Sequence, residues 1–153
     1  MMDLLKELPR LLPMASEWAE TESNRILAAG EPLGVEGVKL AQCVGVRLPS
    51  RVRLFFVYRI PRPSQRDLAQ ACKTIGIIGP GTRALTLGYG VYIRDHDKAD
   101  SRLLAHELRH VSQYEDLGSI PAFLAKYVPE LIQYGPASAP LELDASSAAD
   151  RCP

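Results

Sequence analysis

Apolar and polar positions recur with two different periods along the chain, and glycines and prolines cut the periodic stretches into short elements. From Ser16, a good N-cap, a helical rhythm runs through Trp18, Ile26 and Leu27 to Gly30, a natural stop. A second helix is expected over Val35–Val44. The run Arg51-Val-Arg-Leu-Phe-Phe-Val-Tyr-Arg-Ile60 alternates with a period of two and predicts a strand, ended by Pro61 and Pro63. Ser64 and Asp67 have capping-box spacing for a helix through Leu68, Cys72 and Ile75. Ala84-Leu-Thr-Leu-Gly-Tyr-Gly-Val-Tyr-Ile93 predicts a second strand, with Leu85, Leu87, Tyr89, Val91 and Ile93 on one face. Thr86, Gly88, Gly90 and Tyr92 fall on the other face, where two glycines leave room for another backbone.

A polar loop, Arg94 to Asp100, precedes a helix from Ser101 to about Leu117, ended by Gly118. Two more helices are expected around Pro121 to Gln133 and Ala139 to Ala149. The order α-α-β-α-β-α-α-α describes an α+β fold, a small sheet of few strands packed on several helices. A length of 153 residues suits one domain. Residues 1 to about 15 are expected as an N-terminal extension, because Pro9 and Pro13 interrupt the leucine-rich start.

Composition narrows the partners. Apolar residues make up 46% and charged residues 24%, as in soluble globular domains. Eighteen basic and eighteen acidic residues cancel, so the basic excess of a nucleic-acid binder is missing. Arg51, Arg53, Arg59 and Arg62 alternate along a strand and suit a solvated face better than a phosphate track. Asp3, Lys6, Glu7 and Arg10 interrupt the N-terminal leucines, so neither a signal peptide nor a membrane span is expected. Cys43, Cys72 and Cys152 are far apart, odd in number and without CxxC spacing. They point to a reducing compartment, the cytoplasm by default, with Cys43 and Cys72 as packing residues.

The helix from Ser101 carries His106-Glu107-Leu108-Arg109-His110 and holds two of the chain's three histidines. Residues four apart on a helix share a face, with Cβ atoms about 5–6 Å apart. Two imidazoles so placed can converge on one zinc ion at about 2.0–2.1 Å. Glu107, one step round the helix, is placed to take a proton from a zinc-bound water and pass it to a leaving amine. Leu104, Leu108 and Val111 form a separate apolar stripe for the core.

The run Leu103-Leu-Ala-His-Glu-Leu-Arg-His-Val-Ser-Gln-Tyr-Glu115, with Gly118 after it and Pro140-Leu-Glu-Leu-Asp-Ala145 downstream, resembles a family of small zincin-like domains. Their active helix reads His-Glu-Leu-x-His-Val-x-Gln, and a later Pro-Leu-Glu segment supplies the third ligand. The resemblance covers Thr86 to about Ala145. It implies a gluzincin-like, single-domain zinc metallopeptidase with one Zn2+ per chain, held by His106, His110 and Glu142, with Glu107 as catalytic base.

Glu130 competes for the third ligand position. It follows His110 by 20 residues, the spacing of the thermolysin-like branch, although Tyr134 stands where that branch has an Asp. Pro140 opens a helix, so Glu142 could simply favour its N-terminus. His96 is a further candidate ligand or oxyanion donor. Tyr92, Tyr114, Tyr127 and Tyr134 are candidate oxyanion donors, and Gln113 and Glu115 candidate partners of the ligand histidines.

The function expected is zinc-dependent hydrolysis of peptide bonds in a peptide or protein substrate, with no nucleic acid or membrane as partner. A peptide can add as a strand beside Ala84–Ile93, whose glycines otherwise make room for a helix of the protein itself. The alternative is a zinc-stabilised domain that binds other proteins without turnover; a third reading is an interaction module without metal.

Overall fold

A computed structural model describes residues 3–153. The first two residues of the expected extension lie outside the described residues. Six helices and one four-stranded mixed sheet make an α+β domain among the described residues. In chain order they are α1 (Leu4–Ala29), β1 (Glu31–Pro32), α2 (Val35–Val44), β2 (Arg53–Val57), α3 (Arg66–Ile75), β3 (Ala84–Leu87), β4 (Gly90–Arg94), α4 (Ser101–Leu117), α5 (Ile120–Tyr134) and α6 (Pro140–Arg151). The sheet order is β1-β2-β4-β3, with β2 and β4 parallel and the outer pairs antiparallel.

Both sheet faces are covered. Leu54, Val91 and Ile93 pack against α2, α4 and α6, while Leu87 and Tyr92 pack against α1 and α5. Burial from both sides explains why β4 reads as a continuous apolar run, Val91-Tyr-Ile93. No described helix is long and apolar enough to cross a membrane.

Four expectations from the sequence are corrected. The first helix begins at Leu4, not Ser16, and runs through Pro9 and Pro13. Each proline deprives the carbonyl four residues earlier of its partner. Those carbonyls belong to Leu5 and Pro9, both exposed, so water can satisfy them. Leu8, Leu12, Ala15 and Trp18 meanwhile pack inward, which makes the expected extension a structural helix.

The second correction concerns the run from Ala84 to Ile93, which is a hairpin rather than one strand. Gly88 and Tyr89 form a two-residue turn between the paired Leu87 and Gly90. Gly88 has φ +68°, as the first position of a type II′ turn requires. The turn regroups the faces, because directly paired residues share one: Thr86 joins Val91, and Leu85 joins Tyr92. Gly90 lies under α1. A Cβ there would stand 2.9 Å from Ile26 Cβ, so this glycine makes room for the protein's own helix.

The third correction is to the cysteines. Cys43, at the end of α2, and Cys152, just beyond α6, form a disulfide with Cα atoms 5.9 Å apart. Disulfides persist in oxidising surroundings, so the cysteine argument for a reducing compartment falls. Cys72 alone remains a free thiol, and burial pushes it up to about 11. Fourth, β2 is shorter than the alternating run, because Pro49–Arg51 turn tightly before it.

Candidate metal and catalytic site

The packing of α4 decides which way its histidines face. Asp100 caps the helix by accepting from Leu103 N at 3.0 Å, and Ala105, Leu108 and Val111 are fully buried toward the sheet. His106 and His110 therefore face α5 and α6, where the His110 ring meets those of Phe123 and Tyr127 edge-on. His106, Glu107 and His110 each offer one ligand atom within 4.8 Å of the others.

Glu142 arrives from the first turn of α6. Its Oε1 lies 3.0 Å from His106 Nε2 and its Oε2 2.9 Å from His110 Nε2. One carboxylate thus spans the two imidazoles. Glu130 sits elsewhere: its Oε1 accepts from Leu141 N at 3.1 Å and its Oε2 pairs with Lys126 at 2.9 Å. Glu130 so satisfies an unpaired N–H in the first turn of α6 and helps seat the helix that carries Glu142. His96 lies exposed on the turn Asp95–Asp97, apart from the cluster.

Surrounding side chains fix the orientation of each group. His110 Nδ1 meets Gln113 Oε1 at 2.7 Å, which directs Nε2 toward Glu142. Gln113 in turn donates to Leu141 O and Asp144 Oδ2, and Asp144 accepts from Arg109 at 2.8 Å. His106 Nδ1 lies 3.3 Å from Ser146 Oγ. Thr86 Oγ1, from β3, donates to Glu107 Oε1 at 2.9 Å, and Oε2 accepts no hydrogen bond among the described residues. Glu115 serves another purpose, accepting from Arg47 N, Leu48 N and the Tyr89 hydroxyl.

The four tyrosines separate clearly. Tyr127 donates to Glu142 Oε2 at 2.8 Å. Tyr114 donates to Thr86 O, Tyr92 donates to Glu22, and Tyr134 is exposed. Sequence reasoning missed Thr86, Asp144, Arg109 and Ser146 at this site. Ser146 had a legible signal, since it lies four residues beyond Glu142 and so on the same face of α6.

Burial alone would lower the pKa of His110, but Glu142 and Glu107 outweigh it and push it up to about 9. Burial works the opposite way on Glu142, and hydrogen bonds from His106 and His110 hold it well below the usual carboxylate range. The pair behaves as an imidazolium beside a carboxylate. His106, Glu107 and His110 lie close enough together to be compatible with a metal site, and the Glu142 carboxylate lies against both Nε2 atoms.

Residues 77–118 fit the family model of the eCIS core domain. No curated protein and no solved structure matches the chain. The matched segment takes in the hairpin β3–β4 and the whole of α4, and so His106, Glu107, His110, Thr86 and Gln113. Glu142 and Tyr127 lie outside it.

Proposed function

We propose that the chain is a zincin-type, zinc-dependent peptidase in which His106, His110 and Glu142 hold the metal and Glu107 is the general base. The observation that carries this is the Glu142 carboxylate set between the Nε2 atoms of both motif histidines. When bound, zinc supplies a Lewis acid that acidifies water and polarises a carbonyl.

The protein's own groups do the rest. Gln113 holds His110 in the orientation that leaves Nε2 for the metal. Thr86 anchors Glu107 through Oε1, leaving Oε2 to take a proton and return it to the leaving amine. An anchored base beside the ligand histidines supports turnover over a purely structural ion. β3 is the outer strand, and the bond from Arg94 N to Arg83 O turns the N–H and C=O of Ala84 away from β4. Those groups are available to an added peptide strand next to Glu107.

Glu107→Gln tests the proposal. It should abolish peptide cleavage and leave zinc content near one ion per chain, because the amide keeps the shape but cannot accept the proton. Equal cleavage by both forms would refute the assignment.

A further inference from the structure

Behind His110 runs a chain of hydrogen bonds in which each hydrogen has only one direction open to it. Gln113 Nε2 donates to Leu141 O at 2.9 Å and to Asp144 Oδ2 at 2.8 Å. A carbonyl and an arginine-paired carboxylate only accept, so both amide hydrogens are committed and Oε1 is the atom left facing His110 Nδ1. An amide oxygen only accepts as well. Nδ1 must therefore carry a hydrogen, and the lone pair of the neutral ring falls on Nε2, the atom beside Glu142.

The amide is held only as firmly as Asp144 is, and that side chain is 39% exposed, free to turn to water if nothing grips it. Arg109 grips it. Its Nε and Nη2 donate to Asp144 Oδ2 and Oδ1 at 2.8 and 3.3 Å, a two-point contact that fixes the carboxylate plane. Its Nη1 donates to Val44 O at 2.6 Å, one of the carbonyls left over at the end of α2. Gly45 makes room for this reach, because a Cβ there would stand 2.9 Å from Nη1. The guanidinium is thus seated between α2 and α6, with its donors aimed at both.

We propose that Arg109 and Asp144 are positioning residues that hold the Gln113 amide, make His110 present Nε2, and so raise the metal affinity of the site. The proposal rests on the zinc reading above and adds two residues on which that reading depends. A second ion pair joins the same two helices and serves as control: Arg102 of α4 donates to Asp150 of α6 at 2.7 Å, and among the described residues no hydrogen bond links it to Gln113. Chelator competition with zinc on the full chain is the measurement. Arg109→Met and Asp144→Ala should each weaken binding about 10–100-fold. The double variant should be at most about threefold worse than the weaker single, because both changes break one chain. Asp144→Asn keeps an oxygen for the Gln113 amide, so it should bind at least about threefold tighter than Asp144→Ala, and it is the milder variant should the others fail to fold. Arg102→Met should stay within about threefold of the wild type, as an exposed ion pair would.

A second readout needs no metal. In the metal-free chain the hydrogen on His110 Nδ1, followed by proton NMR, should exchange with water at least about tenfold faster in Asp144→Ala than in the wild type. Zinc affinity in Arg109→Met within threefold of the wild type, or an equal loss in Arg102→Met, overturns the proposal. A wild type that takes up no zinc yet shows the exchange difference would keep the hold on His110 and remove the zinc reading. Zinc uptake with no difference among the variants would do the reverse.

Discussion

Zinc binding should tighten by about 50-fold between pH 7 and pH 9, because the ion has to displace a proton from His110. In the metal-free site that imidazole lies 2.9 Å from Glu142 Oε2, and its pKa is pushed up to about 9 from 6.5. At pH 7 roughly one molecule in a hundred then carries neutral His110, which lowers the apparent affinity by the same factor. The logarithm of the dissociation constant should fall about one unit per pH unit and flatten above pH 9.

The same pair contributes to the stability of the metal-free chain. The raised His110 contributes stability in full below its unfolded value of 6.5 and loses it as pH rises through about 9. The depressed Glu142 contributes above its unfolded value of 4.5 and loses its share on acidification. The pair therefore stabilises most between pH 4.5 and 6.5, and alkalinisation past 9 removes about 3 kcal/mol of its contribution. Chelator competition at buffered free zinc measures the affinity. Calorimetry in two buffers of different ionisation enthalpy should show about one proton released per zinc at pH 7.5. An affinity flat from pH 7 to 9, with no proton release, would refute the ion-pair account.

Glu142→Ala should weaken zinc binding by more than about 100-fold, and Glu130→Ala by at most about tenfold, since one touches both imidazoles and the other only seats α6; chelator competition on the two variants decides it. Replacing Cys43 and Cys152 together by Ser should cost about 4–5 kcal/mol, from the entropy of a loop spanning 109 residues, and lower Tm by roughly 10–15 °C. Calorimetric melting that shows no shift would argue that the bridge does not form. Gly90→Ala should destabilise by about 1–3 kcal/mol, because the new methyl meets Ile26 of α1, and urea unfolding checks it.

The clustering of the motif side chains was more legible in the sequence than the sheet was. The spacing of His106, Glu107 and His110 needs only one helix to become a shared face, and α4 has the expected ends, Ser101 and Leu117. The hairpin was harder, because its turn is only two residues long and the apolar rhythm continues through it. Going from Leu87 to its partner Gly90 shifts the parity by one, so the alternating pattern stayed visible while its faces were exchanged. Gly88 followed by one residue between two apolar runs was the available sign. Pro9 and Pro13 looked like breaks since propensity alone does not say that both face water. The disulfide joins residues 109 apart in sequence, and the docking of both α2 and α6 against α4 brings them together.

That disulfide also changes what a cut in the chain means. The bridge closes a covalent ring that contains every residue of the candidate site, from Thr86 to Ser146. Hydrolysis of any single peptide bond between residues 43 and 152 leaves both halves linked. The nicked protein would keep its mass, apart from one added water, on a non-reducing gel. It would separate into two fragments only once the sulfurs are reduced.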